Sequence, residues 1–255
     1  MDYIALGKSN LLVSRTAFGA MSLKSLSQDE ATALIKKAWD DGVNFFDTSV
    51  STPESEKRLG SALSSLKIRE NVIVATKTAA HTAEEIAEDI DKSLTNLCTS
   101  YIDLYQLEKP ILLPKKDGED GLVEKLDNLK KSGVIRHYGI TTESMDVAQE
   151  ILKSDVLWET VQFPFNMLCT QQIEKLVADF AVADVGFIAM RPLCGGVVSN
   201  IPLALGYLRQ FENVVPVWGA RNDEELTQIL YFTQNPPVLD DKFKAEVNAQ
   251  REFFN

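Results

Sequence analysis

The feature that most constrains the fold is an alternation. Short apolar, β-rich runs recur along the chain, each followed by a longer amphipathic segment. Strands are predicted over residues 16–21, 44–48, 72–77, 103–108, 137–141, 160–165, 186–191 and 214–218. The first helix opens at Ser27 and ends at Gly42; the others are predicted over 55–66, 83–97, 121–132, 144–154, 171–182, 201–211 and 223–233. Strands separated by helices of this length pair in parallel, because only a crossover can return the chain to the same edge. Eight such units in 255 residues favour a closed (β/α)8 TIM barrel over an open doubly wound sheet. No G-x-G-x-x-G follows the first strand, which argues against the open dinucleotide-binding sheet.

The ends of the chain fall outside the repeat. Residues 1–14 read as a hairpin turning over Gly7-Lys8-Ser9-Asn10, and residues 236–255 as a tail with a last helix from Asp240. Ser27 with Glu30, and Thr82 with Glu85, have capping-box spacing. Ala33, Leu34, Ile35, Ala38 and Trp39 supply the apolar face of the first helix. With no linker rich in Pro, Gly or Ser, a single domain over 1–255 is expected.

The net charge of −11 argues against nucleic acid or an anionic membrane as a partner. Cys98, Cys169 and Cys194 form no CxxC pair, which points to a reducing, cytoplasmic setting without a zinc or iron–sulfur centre. No signal-peptide pattern or membrane-length apolar run is present, so the expected partner is a small-molecule substrate. The 109–120 loop, with Pro110, Ile111, Leu112, Leu113 and Pro114, could cover the barrel mouth or meet a protein partner. The tail, ending in Phe253-Phe254, could pack on the barrel or on a neighbour.

In such a barrel, reactive groups come from the C-terminal ends of the strands. Those ends carry Asp47, Lys77, Glu108, Thr141-Thr142, Gln162 with Asn166, Met190-Arg191, and Gly219-Ala220-Arg221. A carboxylate ending an apolar strand costs desolvation unless it is paired, and Lys77 on the next strand is the expected partner of Asp47. Side chains alternate along a strand, so Lys77 inward takes Ala75 and Ile73 inward. Glu108 inward likewise takes Gln106 and Leu104, and Tyr105 and Tyr138 then face the helices. Asp47, Lys77 and Glu108 together make an acid/base site or a structural ion pair.

Phe46-Asp47-Thr48-Ser49 followed by Ser55-Glu56-Lys57-Arg58-Leu59-Gly60 resembles the signature of the aldo-keto reductase superfamily. Val72 to Lys77, Asp103 to Pro110 and Gly133 to Thr141 resemble that family's third, fourth and fifth strand segments. Val161 to Asn166, Met190 to Leu193 and Val217 to Arg221 continue the series in order. The resemblance implies a barrel with NADPH or NADH across its C-terminal face, and hydride transfer to a carbonyl. It makes Asp47 and Lys77 catalytic. It places Thr52 where the family has its proton-donating tyrosine, and Glu108 where it usually has a histidine. Family members that reduce carbon–carbon double bonds also carry Glu there but keep the tyrosine.

The resemblance also implies a cofactor site. Thr141, Thr142 and Gln162 would hold the carboxamide, and Met190 would pack against the nicotinamide. Arg191, Leu193, Gly195 and Gly219 would line the groove. Arg221 would meet the 2′-phosphate of NADP, opposed by Glu225, where many members have a second arginine. Weak binding of NADP, slightly preferred over NAD, or no binding, is expected. His81 reads as an exposed loop histidine beside a helix cap, and Cys98 and Cys169 as packing residues. Three functions follow from these residues: an oxidoreductase of aldo-keto reductase type with an atypical active site, a catalytically inactive binding or regulatory relative, and a barrel enzyme of non-redox chemistry.

Overall fold

The computed structural model describes residues 1–254. Two short antiparallel strands, β1 (Tyr3–Ala5) and β2 (Leu12–Ser14), form the expected hairpin. Eight parallel strands follow: β3 (Ala17–Gly19), β4 (Phe45–Asp47), β5 (Ile73–Thr78), β6 (Ile102–Glu108), β7 (Ile135–Thr141), β8 (Thr160–Pro164), β9 (Gly186–Met190) and β10 (Val214–Trp218). They pair in chain order, and β10 closes on β3, giving the predicted barrel. The helices between and after them are α1 (Gln28–Asp40), α2 (Pro53–Leu66), α3 (Ala83–Asn96), α4 (Leu122–Lys131), α5 (Met145–Ile151), α6 (Gln171–Val182), α7 (Ile201–Arg209), α8 (Asp223–Gln234) and α9 (Asp241–Phe254). Among the described residues, no helix is long and apolar enough to cross a membrane.

Two cores result. The larger lies between strands and helices and includes Phe46, Val74, Tyr105 and Tyr138. The smaller fills the barrel with Phe45, Ala75, Leu104, Ile188 and Val215, and takes Leu6 and Val13 from the hairpin. Each large apolar side chain buried here contributes about 1.5–3 kcal/mol. The hairpin plugs the N-terminal end of the barrel. Gly7 has φ +52° and lies so close to the chain at Val185 and Gly186 that an added Cβ would sit 2.2 Å from the Gly186 nitrogen. Only glycine combines that backbone angle with that approach.

Helix signals are realised with local corrections. Ser27 and Glu30 form the full capping box. At Thr82 only half forms, because the Glu85 carboxylate accepts from the His81 nitrogen, one residue further back (2.6 Å). The second helix starts at Pro53 rather than Ser55, since proline suits the first helical turn, where a missing N–H costs nothing. The first barrel strand ends at Gly19, and Ala20–Ser25 continues as a 3-10 turn. Ala33 is exposed, so the apolar face of α1 is Ala31, Leu34, Ile35 and Ala38. Cys98 is exposed rather than packed.

The two apolar outliers behave differently. In the 109–120 loop, Leu113 is buried while Ile111 and Leu112 are 84% and 78% exposed. In the tail, Phe243 and Val247 of α9 pack against the body of the protein, but Phe253 and Phe254 only stack edge to face on each other and stay exposed.

Candidate active site

The C-terminal ends of β4, β5 and β6 converge as expected. The Lys77 ammonium donates to both Asp47 oxygens (2.8 and 2.9 Å) and to the Thr48 carbonyl (2.6 Å). Lys77 and Asp47 are each 3% exposed. An ammonium has three N–H donors, and all three are used here. The pair belongs to a longer polar floor. The Gln162 amide donates to Asp47 Oδ2 (3.3 Å), while its oxygen accepts from Gln106 Nε2 (3.0 Å) and Thr141 Oγ1 (3.1 Å). The floor therefore joins five strands, β4 to β8, and Lys77 and Gln162 both donate to the one carboxylate. Gln106 Oε1 is buried without a hydrogen-bond partner.

Glu108 ends β6 half-buried and beside this floor. Its Oε2 accepts from the Ser49 hydroxyl (3.3 Å), which in turn contacts the Ser51 hydroxyl (2.7 Å). Thr52 is the N-cap residue of α2, half-exposed, and its side chain makes no capping bond. Tyr105 and Tyr138 both point to the helices. Burial pushes the Tyr105 hydroxyl far above its ordinary value, and burial with the Asp127 hydrogen bond does the same for Tyr138. Neither replaces a proton donor at the mouth. His81 is exposed in the loop after β5.

The loop after β4 is held by the residues that follow it. The Thr48 and Ser55 hydroxyls meet at 2.8 Å, and Ser55 donates to the Ala20 carbonyl (2.8 Å). Glu56 is fully buried and accepts from Thr76 (2.8 Å), Ser93 (2.7 Å) and Asn96 (3.0 Å). These bonds tie the start of α2 to β5 and α3, and so fix where Thr48 and Ser49 stand.

A groove of about 650 Å3 opens beside the mouth. Arg191, Leu193, Gly195, Gly196, Gly219, Arg221 and Glu225 line it. Thr141, Thr142 and Gln162 lie buried in the neighbouring strand ends, and Met190 is half-buried at the end of β9. Gly195 and Gly196 have φ of +69° and +98°, and a Cβ on either would meet no atom within 4 Å. The two arginines of the groove are already paired. Arg221 clasps Glu225 (Nη2–Oε1 2.8 Å, Nε–Oε2 3.4 Å), and this hydrogen bonding holds the Glu225 carboxyl below its ordinary value. Arg191 meets Glu143 at 2.9 Å, and Lys109 meets the same oxygen at 2.6 Å. The Lys109 hydrogen bond, with the Arg191 charge, keeps Glu143 low as well.

A family profile described as "Aldo/keto reductase family" matches residues 15–203. The chain belongs to the aldo/keto reductase family. Among curated relatives, the "Uncharacterized oxidoreductase YqkF" of Bacillus subtilis is 30% identical over 213 residues, covering 78% of this chain and 67% of that one. The L-galactose dehydrogenase of Arabidopsis thaliana is 30% identical over 237 residues, covering 86% and 70%. The chain thus spans about two thirds of the length of these relatives. In fold it is similar to the holo form of an aldo-keto reductase from Bacillus halodurans (TM-score 0.85, 23% identity, 98% and 96% of the two chains). Family membership makes this an oxidoreductase-type barrel.

Several residues take their part in the site only through tertiary contacts. Ser49, Ser51 and Glu143 matter through contacts between loops. The role of Ser55 and Glu56 in fixing the β4 loop likewise appears only when α2 is packed on β5 and α3.

Proposed function

We propose that the chain is an NAD(P)H-dependent oxidoreductase that reduces a carbonyl compound with an atypical proton donor. The observation that carries this reading is the buried Asp47–Lys77 pair at the barrel mouth with Glu108 on the adjoining strand. The groove fits a dinucleotide: Gly195 and Gly196 leave room for close backbone approach, and Arg191 and Arg221 stand along it. Arg191, Leu193, Gly195, Gly219 and Arg221 would hold its phosphates and ribose, and Thr141, Thr142, Gln162 and Met190 its nicotinamide end. Bound there, the cofactor supplies the hydride.

The chain's own residues supply the rest. Lys77, fixed by both Asp47 oxygens, places a positive charge where the carbonyl oxygen becomes negative. Glu108 donates the proton, because its carboxyl is the only half-buried acid at the ends of β4 to β6 and Thr52 has neither the acidity nor the reach of a tyrosine. Asp47 is a positioning residue that acts through Lys77. The substrate is a small carbonyl compound.

Titration with NADPH and NADH, followed by nicotinamide fluorescence, tests the reading. Binding below millimolar is expected, and Lys77→Met should abolish turnover of an aldehyde and quinone panel. No binding at millimolar cofactor would sink it.

Two observations favour a second reading, a catalytically inactive binding protein. All three Lys77 donors are satisfied within the protein, and Thr141 and Gln162 bond each other rather than standing free. On that reading, cofactor binds without turnover of any panel member.

A further inference from the structure

The Ser49 hydroxyl is fully buried and stands between two groups of different exposure. On its inner side is the half-buried Glu108 carboxylate (3.3 Å), and on its outer side is the Ser51 hydroxyl (2.7 Å), which is exposed. The Ser51 backbone N–H also donates to Ser49 Oγ (3.3 Å), which holds the two hydroxyls together. A hydroxyl has one donor and two acceptor lone pairs, so it can receive a proton on one side as it releases one on the other. The Ser49 proton has two acceptors in reach, the Glu108 carboxylate (3.3 Å) and the Lys77 carbonyl (3.4 Å); when Ser49 donates to Glu108, the Ser51 hydroxyl is the one placed to donate to Ser49.

We propose that the Ser51 and Ser49 hydroxyls form a proton path from solvent to the Glu108 carboxyl. The proposal rests on the reading of Glu108 as proton donor. In each turnover the reduced carbonyl oxygen takes the Glu108 proton and leaves a carboxylate. Ser49 passes its proton to that carboxylate, takes the Ser51 proton in its place, and Ser51 is refilled from water. The net input is one solvent proton per hydride transferred. Ser49 is a relay and positioning residue that does not itself touch the substrate, and the path gives the half-buried Glu108 a proton supply that does not cross the occupied mouth.

The test compares Ser49→Ala, Ser51→Ala and Ser49→Thr with the parent. In the cofactor-free protein, the carboxylate infrared band that Glu108→Gln removes should shift in Ser49→Ala and return in Ser49→Thr. With cofactor and a carbonyl substrate, Ser49→Ala should lower kcat about 10- to 100-fold, within the range lost with a general acid–base group. NADPH and NADH affinities should stay within twofold. Its solvent deuterium isotope effect should rise above the parent's, and Ser49→Thr should restore both rate and isotope effect. Ser51→Ala should cost about threefold or less, because water can take the place of an exposed hydroxyl. A Ser49→Ala protein with the parent's kcat, isotope effect and infrared band would overturn the path. A parent that binds no cofactor would instead overturn the oxidoreductase reading, with the infrared band still reporting whether Ser49 contacts Glu108.

Discussion

The barrel buries acids at both ends, and the two ends treat them differently. At the N-terminal end, Asp103 is 0% exposed and is gripped from outside by Arg69 (2.9 Å) and Arg136 (2.8 Å). Both guanidiniums also lie 4.1 Å from the centre of the Tyr101 ring. Beside them, Glu159 is held by His137 (2.7 Å), Lys130 (2.8 Å) and the Tyr138 nitrogen (3.2 Å). At the C-terminal end, Asp47 is paired with a lysine that is itself buried, and Glu108 is left with one hydroxyl partner. Partners at the N-terminal end keep part of their hydration; the partner at the mouth has given it up. Conserving charge pairs for stability calls for the first arrangement. Holding a cation ready beside a half-satisfied acid calls for the second.

That contrast can be broken by substitution. The largest effect should come from Asp47→Ala, which strands a buried ammonium. A loss of about 3–5 kcal/mol in unfolding free energy is expected from denaturant titration. Replacing both partners with apolar residues of similar size, as in Asp47→Leu with Lys77→Met, should recover most of that stability but no turnover. A double variant no more stable than Asp47→Ala would mean that Thr48 and Gln162 depend on the charges as well.

Asp103→Asn should cost less, about 1–3 kcal/mol, because one hydrogen-bond acceptor remains and Arg136 is half-exposed. Cofactor affinity and turnover should match the parent. A change in turnover would erase the division between the two ends. Tyr101→Leu should cost about 1–2 kcal/mol, from two partly exposed cation–π contacts of about 0.5–1 kcal/mol each. It too should be silent in activity assays.

The smallest effect is a pH dependence. Burial alone would raise the Glu159 carboxyl, but hydrogen bonds from His137 and Lys130 outweigh it, so the group titrates below its ordinary value. A depressed carboxylate contributes stability that is full above its unfolded value and fades as pH falls through the folded one. Unfolding midpoints of the parent should therefore decline on acidification below about pH 4.5. Glu159→Gln should start lower at pH 7 and decline less. Equal slopes for the two proteins would show that other carboxylates govern the acid limb.

The fold was legible because its evidence is local and repeated. Each strand–helix unit carries its own period and caps, so an error at one boundary does not spread. α2 begins two residues before the position its sequence suggests and β3 gives way to a 3-10 segment after Gly19, yet the order of units is unaffected. The Asp47–Lys77 pair was legible for a related reason: neighbouring parallel strands bring their ends together, and the long Lys77 side chain, two residues beyond the Ala75 that faces Asp47, reaches back to it. The Arg221–Glu225 clasp was readable only as an opposition of charges, because whether the two meet depends on side-chain reach over one helical turn. The Glu143 contacts with Lys109 and Arg191 were not readable at all. They join three loops, and both cations sit on left-handed backbones, with φ of +51° and +56°, that no local residue preference announces. The Ser51–Ser49–Glu108 series was hidden similarly, since it spans β5 without involving any β5 side chain.

The hairpin plug has a consequence for how the molecule is made. Gly7 meets the chain at Val185 and Gly186, and Leu6 enters a core built from strands as late as β10. Chains leave the ribosome from the N-terminus, at about 5–20 residues per second. The hairpin emerges before the strands it packs on and must therefore wait, its apolar face uncovered, until β9 and β10 have been synthesised. Molecular chaperones that shield nascent apolar segments should find this hairpin early, and a truncation before β9 should leave it as a sticky end.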